Sequence, residues 1–371
     1  MRVTRKMMVE NMVRWMFQKA ERIQEAGTVS GSGKKVNRPS DDSMGAGRIL
    51  ADRTTLSRTA QYQSNISRLG NWVEMDNTVL DSVYEILQEV ESINMDQAEG
   101  DQSIREELTA SLEYMYGQVV DLANTRYESG YLYSGDLSST RPFHNSSLVS
   151  GGTAQDLLFD LGDAASSVAI EISDSGGNVV RTLNLTGLSA GAQTVSWDGL
   201  DDLGLAVADG EYEYVVTAED ASGDPVAAAH TYRGGAGDKE ALIGDGAVLR
   251  INNDGGDIFG DVLMSVAGVI ASLKADSYDR TAVSQALDHV QTALADLEME
   301  MVDLSGAGTR LENASETRSQ TLLLYENKLS DEENCDAGEV AVELQTRETA
   351  YEVTLETTAL ILQMSNLFDR I

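Results

Sequence analysis

The sequence predicts an α+β multidomain protein, in which the N- and C-terminal halves form a long antiparallel helical bundle or coiled coil around an inserted all-β sandwich. Apolar residues recur at heptad spacings in both halves, and the 371 residues include only three prolines, which helix interiors exclude. Residues 145–257, by contrast, are rich in Gly, Ala, Ser and Asp. We therefore expect three domains: residues 1–40 with 330–371, residues 41–144 with 258–329, and residues 145–257.

The N-terminal half contains three apolar stripes with helical spacing. The first stripe consists of Val9, Val13, Met16, Ala20 and Ile23. We expect this helix to end in the Gly/Ser-rich stretch Gly27–Gly33. A second helix is expected to begin after Pro39-Ser40-Asp41-Asp42, because Ser and Asp side chains accept hydrogen bonds from the free N–H groups of a first helical turn. Its stripe runs from Ile49 to Val90, and a third stripe runs from Leu108 to Leu122.

The C-terminal half keeps one heptad register over a longer distance, from Val283 to Leu329. A helix of that length would be about 70 Å long, which a bundle or a coiled coil can bury. We expect a break at Ser330-Asp331 and a last helix after it. The stripe of this last helix consists of Val340, Leu344, Tyr351, Leu355 and Leu362. We expect the last stripe to pack with the first, and the two together to form contacts between subunits.

The charge distribution supports that pairing and excludes one class of partner. The net charge is −34, which excludes binding to a nucleic-acid backbone as a main activity. Residues 1–40 carry a net charge of +6 (nine Lys/Arg, three acids), whereas residues 330–371 carry −8 (two Arg, ten acids). The two ends of the chain are therefore complementary. No run approaches the ~20 apolar residues that a membrane span needs, and we expect no cleavable signal sequence at the N-terminus.

The middle segment has the alternation and the turns of a small β-sandwich. Val168, Ile170 and Ile172 alternate, as do the residues from Tyr212 to Ala218, and turn sequences rich in Asp and Gly follow each run. We expect Trp197 to fill the interior of the sandwich. Its Asp-rich loops have two interpretations: tight turns, or calcium ligation. The residues concerned are Asp198, Asp201, Asp202 and Asp209.

The sequence does not predict an enzyme, a cofactor or a metal site. Its three histidines, His144, His230 and His289, are far apart and form no metal-ligand pair. No nucleophile or phosphate-binding motif occurs. The single cysteine, Cys335, allows no intramolecular disulfide.

Two groups of short motifs occur in the helical halves of the sequence. The segment from Gly33 to Asp42, continued by Ala46-Gly47-Arg48-Ile49-Leu50, is similar to the N-terminal signature shared by flagellins and by flagellar hook-associated proteins of the hook–filament junction type. The run Tyr131-Leu132-Tyr133-Ser134-Gly135 before Pro142-Phe143 resembles hook-associated protein 3 more than filament flagellin. The residues that carry these motifs are Asn37, Pro39, Ser40, Asp41, Asp42, Asn65, Ser134, Gly135, Pro142 and Phe143.

The middle segment carries a second resemblance. Asp174-Ser175-Gly176-Gly177-Asn178, followed by Trp197-Asp198-Gly199 and by Asp209-Gly210-Glu211-Tyr212, is similar to the Ig-like domain of flagellar hook-capping proteins. The inserted sandwich is therefore expected to be Ig-like.

The first resemblance implies a structural subunit that joins hook to filament, exported by the flagellar type III system without signal cleavage to an extracellular position. It implies assembly through the terminal helices into a ring. The implied partners are the first hook–filament junction protein, flagellin and an export chaperone, with no nucleic acid and no membrane. Two alternatives remain open: a filament-forming flagellin, and a junction subunit whose β domain also binds a surface or a glycan.

Overall fold

The structure is a computed structural model that describes residues 5–93, 102–237, 240–250 and 254–368. Its helices are α1 (Arg5–Ser32), α2 (Ser43–Glu91), α3 (Gln102–Ala123), α4 (Gly255–Lys274), α5 (Arg280–Glu333) and α6 (Ala337–Phe368). The first strands are β1 (Arg126–Tyr127), β2 (Gly130–Tyr131), β3 (Ser146–Ser150), β4 (Thr153–Ala154), β5 (Leu157–Leu161), β6 (Ala165–Ser173) and β7 (Val179–Leu188). The remaining strands are β8 (Gly191–Val195), β9 (Gly210–Glu219), β10 (Pro225–Val226), β11 (Ala228–His230), β12 (Glu240–Gly244) and β13 (Ala247–Arg250). This arrangement confirms the predicted fold class.

The chain divides into two compact units, residues 1–64 with 315–371 and residues 65–314. In the first unit α1 packs along α6. α1 continues through Gly27 and Gly31 and ends only at Gly33, whose φ of 69° is the left-handed conformation that closes many helices. The break expected in the stretch Gly27–Gly33 therefore lies at the end of that stretch.

The boundary between the last two helices also differs from the prediction. α5 continues past Ser330-Asp331 to Glu333. The next helix begins after Asp336, whose carboxylate accepts hydrogen bonds from the N–H groups of Gly338 (2.8 Å) and Glu339 (3.3 Å). The cap that starts α6 is thus a few residues later than expected, and it is still an aspartate that accepts the free N–H groups of the first turn.

Helices α2 and α5 pair in antiparallel register. In the first unit, Lys328 Nζ lies 2.9 Å from Asp52 Oδ1, and Gln63 donates to Ser315. In the second unit, Tyr84 donates to Glu298. The core of the second unit is built from α2, α3, α4 and α5 and includes fully buried Leu80, Leu87, Leu112, Leu263 and Val290. The heptad register of the sequence therefore faces the interior of a bundle.

The β-sandwich has its own core. One sheet has the strand order β4-β3-β9-β6-β7, with β10 also paired to β9, and the facing sheet has the order β11-β5-β8. Phe159, Ile170, Ile172 and Tyr214 fill the space between the sheets, and Trp197 packs there edge-on against Tyr212. The alternation read from the sequence thus corresponds to the inward face of each strand.

The hairpin β12–β13 packs on the helical core, through Ala241, Ile243 and Leu249. The three-domain division expected from the sequence stays a prediction.

Among the residues that the structure describes, one helix, α4, is long and apolar enough by length and composition to cross a membrane, and half of its most apolar stretch is buried inside the protein. This run was not expected from the sequence. Phe259, Val262, Leu263 and Val266 of α4 are in the helical core, which accounts for the apolar composition.

Candidate assembly surface of the terminal helices

The helices α1 and α6 bury a narrow seam. On α1 the seam contains Met16, Ala20 and Ile23, which are half-buried, and ends at buried Ala26. On α6 it begins at buried Val340 and continues through half-buried Leu344 and Tyr351. Arg347 adds a direct link across the pair, because its guanidinium donates to the backbone oxygen of Arg22 at 2.7 Å.

The predicted stripes only partly coincide with this seam. Val9 and Val13 are 38% and 43% exposed, and half-buried Met12 takes the place that Val13 was expected to occupy. On α6, Leu355 is 37% exposed. The side chain of Leu362 lies outside the described residues. The stripe and the seam of α1 thus coincide from Met16 to Ile23 and differ only toward the start of the helix, where Met12 and not Val13 is half-buried.

Large apolar side chains remain on the open faces of the pair. On α1 these are Met7 (54% exposed), Val9, Val13, Trp15 (66%) and Phe17 (72%), and on α6 they are Val342 (66%), Val353 (57%) and Leu360 (58%). On α1, Val9, Val13 and Phe17 lie at i, i+4 and i+8 and therefore share one face of the helix. An exposed apolar face is a candidate interaction surface.

The face of α6 that packs against α1 also contains polar side chains. Thr354 and Thr358 are half-buried there, and each hydroxyl donates to the backbone carbonyl four residues earlier. Such back-bonding slightly weakens a helix. α6 therefore turns threonines toward α1 and leaves Val342 and Val353 outside, an arrangement that the heptad count alone did not reveal.

An ionic clasp closes the pair where α1 leads into α2 and α5 leads into α6. Glu333 is 8% exposed and receives Lys34 Nζ at 2.5 Å, as well as the guanidinium of Arg53. The backbone N–H of Lys35 donates to the Glu333 carbonyl at 2.7 Å, and Cys335 N–H donates to Gly33. The hydrogen bond from Lys34 and the nearby Arg53 hold the pKa of Glu333 below its usual value. We define Lys34, Arg53 and Glu333 as the clasp.

The first group of family-motif residues builds the turn inside this clasp. Asn37 donates its side-chain amide to the Lys34 carbonyl at 3.1 Å. Asp41 accepts the N–H groups of Asn37 and Arg38, while Asp42 accepts those of Met44 and Gly45 at the start of α2. Pro39 and Ser40 are exposed.

The second group of motif residues lies in the other unit, where the chain passes from α3 to the β-sandwich. Buried Ser134 accepts the N–H of Gly235 at its carbonyl, 3.0 Å away. Gly135 has a φ of 59°, and a Cβ there would collide with the Gly235 carbonyl oxygen. Phe143 is fully buried and exchanges two hydrogen bonds with the side chain of Asn124.

The two remaining motif residues also bind backbone. The carbonyl of buried Pro142 accepts the N–H of Arg233 at 2.8 Å. The Asn65 side chain donates to the carbonyl of Leu242 in β12 at 2.9 Å. All of these residues hold loops in place, and none of them forms a chemical site.

Comparison with known proteins agrees with this geometry. Residues 3–137 match the bacterial flagellin N-terminal helical region, and residues 145–222 match the FlgD Ig-like domain. The chain resembles flagellin-family hook-associated proteins. These matches confirm both resemblances read from the sequence and support a structural role in the bacterial flagellum.

The individual relatives are of two kinds: FlgD proteins, and flagellar hook-associated or FlgL proteins. The basal-body rod modification protein FlgD of Salmonella typhimurium is 41% identical over 59 residues, which cover 16% of this chain and 25% of that protein. The chain thus spans a quarter of the length of the curated relatives that it matches. A flagellar hook-associated protein from Vibrio parahaemolyticus has the same fold, with a TM-score of 0.52 and 18% identity over 79% of this chain and 100% of that chain. FlgL of Bacillus cereus has a TM-score of 0.47 at 15% identity over 76% of this chain and 99% of that chain.

Two histidines lie beside a cleft of about 530 Å³ between the β-sandwich and the helices α3 and α4. His144 Nδ1 lies 2.7 Å from Ser146 Oγ, and the Ser146 hydroxyl donates to Glu211 at 2.6 Å. The serine proton is thus directed to a carboxylate and away from the histidine, unlike in a nucleophilic triad. His230 interacts with Tyr116, and His289 is exposed on α5.

The Asp-rich loops of the β-sandwich use their carboxylates for turns. Asp201 Oδ1 accepts the N–H groups of Leu203 and Leu205, Asp198 accepts that of Leu200, and Asp209 accepts that of Gly151. Within the described ranges, no group of three His, Cys, Asp or Glu side chains is placed to hold a metal ion.

Proposed function

We propose that this protein is a structural subunit of the bacterial flagellum that joins the hook to the filament. The observation that carries the proposal is the apolar surface left open on the α1–α6 pair, which includes Trp15 at 66% and Phe17 at 72% exposure. A monomer gains nothing from exposing these rings, whereas neighbouring copies that bury them gain roughly 1.5–3 kcal/mol for each fully buried side chain.

The polarity of the seam supports the same assembly. Because the contact between α1 and α6 is formed partly by Thr354, Thr358 and Arg347, and most of its apolar side chains are only half-buried, apolar burial within one copy is incomplete. Contacts between copies then supply most of the stabilisation of these helices. Part of that gain offsets the loss of conformational freedom on assembly.

The finer features of the proposal follow from the resemblance. The chain is exported by the flagellar type III system without cleavage, and it assembles outside the cell as a ring. Its neighbours along the axis are the first junction protein and flagellin, and an export chaperone binds it before secretion. Its Ig-like sandwich is a separately packed core, which suits a domain that projects from the axial helices.

A clean deletion of the gene tests the junction role. We expect hooks without filaments in electron micrographs, and flagellin released into the medium, because the filament would have no subunit to grow on. Complementation with the intact gene is the control. Normal filaments in the deletion strain would contradict the junction role, and shortened filaments on intact junctions would favour the alternative of a filament-forming flagellin.

A further inference from the structure

The β-sandwich exposes a small apolar knob, formed by Val179, Leu203 and Leu205. These side chains are 52%, 83% and 62% exposed. They lie together, because the loop that contains Leu203 and Leu205 is tied to strand β7 at Val180, whose carbonyl accepts the N–H of Asp202 at 3.0 Å. In a chain of net charge −34, an apolar group at the tip of a loop is unusual.

The knob is held rigidly by its own turn. Asp201 Oδ1 accepts the N–H groups of Leu203 (2.9 Å) and Leu205 (2.8 Å), and the Asp201 N–H donates to the Leu205 carbonyl at 2.8 Å. Gly204 closes the turn with a φ of 77°. Arg181 fixes the loop from the side by donating to the Asp201 carbonyl at 2.7 Å. A contact made through such a preordered loop loses little conformational entropy.

An apolar cleft lies elsewhere on the same unit. It has a volume of about 530 Å³ and is formed between the β-sandwich and helices α3 and α4. Its apolar lining includes Val215, Pro225, Val226, Ala228, Ile270 and Ala271. Val215 is 65% exposed, so apolar surface reaches the mouth of the cleft.

The strand order places the two surfaces on opposite sides of the sandwich. The knob lies at β7, the edge strand of the order β4-β3-β9-β6-β7. The cleft lies against the far side of β9, where β3 pairs with residues 210–213 and β10 with residues 218 and 219. Surfaces on opposite edges favour a head-to-tail contact between copies, which propagates into a ring or a helix.

We propose that the knob of one copy docks into the cleft of a second copy, so that neighbouring β-sandwiches touch head to tail. This contact rests on the proposed assembly and gives the inserted domain a role in it. The charges at the two surfaces permit the contact. Asp202 next to Leu203 is 58% exposed, and its Oδ1 lies 4.0 Å from Arg181 and accepts the N–H of Thr182. Its Oδ2 is left to face Arg141 of the cleft lining, which forms no ion pair within the described part of the chain.

The other charged groups of the cleft are largely matched. Lys274 pairs with Glu113 at 2.6 Å, and Glu211 accepts the hydroxyl of Ser146. Glu213 is the remaining carboxylate of the lining. Ionic attraction is therefore local, and the apolar side chains carry most of the contact.

The size of the knob sets the conditions under which the contact forms. Three side chains of this kind bury about 300 Å², well below the ~800 Å² per partner of a stable dimer. The purified chain is therefore expected to be mostly monomeric, and the contact is stable only where other contacts, such as those of the terminal helices, hold the copies together.

Disulfide trapping of the purified full-length chain tests the contact. In a Cys335→Ser background, the variant with both Leu203→Cys and Ala271→Cys is oxidised with copper phenanthroline at high protein concentration. We expect a ladder of dimers, trimers and higher multimers on non-reducing gels, because each copy carries both halves of the contact. An equal mixture of the two single-cysteine variants should give mixed dimers only.

A matched control replaces Ala271→Cys, a half-buried position of α4 at the cleft, with Ala192→Cys, an exposed position of β8 away from the cleft. We expect cross-linking about ten times faster for the first pair than for this control, since docking raises the local thiol concentration. Adding Leu205→Asp to the first pair should lower its rate to that of the control. Equal rates for the two pairs, or a rate unaffected by Leu205→Asp, would overturn the proposal.

The deletion phenotype separates this inference from the proposed function. A ladder from a chain whose deletion leaves filaments intact would keep the contact between sandwiches and remove the junction role. Equal cross-linking rates, together with a deletion strain that lacks filaments, would keep the junction role and remove the contact between sandwiches.

Discussion

At the scale of single residues, the most unusual ionisable group is Asp76 in α2. It is fully buried, and its Oδ1 accepts the Tyr133 hydroxyl at 2.5 Å. Burial raises the pKa of Asp76 to about 7; the hydrogen bond from Tyr133 opposes this shift and the nearby Glu300 adds to it. Tyr133 belongs to the segment Tyr131–Gly135, and the spacing of residues in the sequence did not indicate its buried pairing with Asp76.

This pKa has a direct consequence for stability. Because the folded-state pKa lies above the unfolded value of about 3.9, the folded chain retains a proton that the unfolded chain has lost. The stabilisation by the protonated carboxyl is complete below about pH 4 and is lost as the pH rises to about 7, a change of about 4 kcal/mol. We expect Asp76→Asn to remove this dependence and to raise the free energy of unfolding at pH 8.

Urea unfolding at pH 5 and pH 8 measures this effect. Asp81→Asn is the matched control, since Asp81 is an exposed carboxylate on the same helix and should change little. If Asp76→Asn keeps the pH dependence of the native chain, another group is responsible for it.

The histidines beside the cleft give the opposite dependence. Burial, together with the positive charges of Arg141 and Arg233, lowers the pKa of both His144 and His230 to about 4, while Glu211 opposes the shift at His144. The folded state then binds fewer protons than the unfolded state, whose histidines have a pKa near 6.5. Stability is complete above about pH 6.5 and falls as the pH drops toward 4.

The test is a double substitution. We expect His144→Asn with His230→Gln to reduce the acid sensitivity between pH 4 and 6.5, by up to about 3 kcal/mol for the more buried His230 and by less for His144. Thermal unfolding across this range measures it, with exposed His289→Gln as the control. An unchanged acid limb in the double variant would show that the carboxylates dominate there.

At the scale of elements, the connection from α3 to the β-sandwich depends on one glycine. Gly135 has a φ of 59° and lies against the carbonyl oxygen of Gly235. We expect Gly135→Ala to destabilise the second unit by about 2–3 kcal/mol, because it adds both backbone strain and a steric collision. A Cβ at Gly117 in α3 would meet no other atom within 4 Å, so Gly117→Ala should stabilise by about 0.5–1 kcal/mol. Opposite signs of the two changes in a urea titration are the expected result, and equal effects would contradict it.

The open face of α1 is the element on which the proposed assembly depends. We expect Trp15→Asp with Phe17→Asp to leave the unfolding of the purified chain unchanged, since both rings are exposed. The same variant should fail to support filaments in a deletion strain. Gln18→Asp, at an exposed polar position of α1, controls for the added charge. Filaments of normal length with the double variant would remove α1 from the assembly surface.

The elements also show where sequence patterns are sufficient. The heptad register predicted a helix over 283–329, and α5 extends only a few residues further at each end. The prediction succeeds because a continuous helix brings all residues of this register to one side, where they can be buried together. The stretch Gly27–Gly33 was expected to end α1, and the helix ends only at the last residues of that stretch, because Gly27 and Gly31 each cost only about 1 kcal/mol in a helix. The packing of α6 against α1, where Ala26 is buried, outweighs that cost. The residues near Gly27 do not indicate this packing, because it involves a helix that is distant in sequence.

The assembly surface was harder to predict than the fold. The stripe from Val9 to Ile23 has good helical spacing, but half-buried Met12 takes the place in the seam that Val13 was expected to hold. The difference between the stripe and the seam arises from α6. Its half-buried Thr354 and Thr358 lie in the seam and bury little apolar surface there. Spacing identifies a face that is apolar; it does not tell whether that face is covered by the same chain or by a neighbour.

At the scale of the whole molecule, charge opposes the proposed assembly while apolar contacts drive it. With a net charge of −34, copies repel one another, and this repulsion is screened over about 10 Å at 0.1 M salt and about 3 Å at 1 M. The apolar faces of α1 and of the knob are not weakened by salt. Association of the purified chain should therefore increase with ionic strength.

Sedimentation velocity at a fixed protein concentration in 20 mM and 500 mM NaCl measures this dependence. The variant with Trp15→Asp and Phe17→Asp is the comparison, since it keeps the repulsion but lacks the apolar rings, and it should stay monomeric at both concentrations. If salt instead dissociates oligomers of the native chain, ion pairs such as those between the basic first 40 residues and the acidic last 42 would be the main contacts. The terminal helices would then associate through charge, and the exposed rings of α1 would have to serve a different partner.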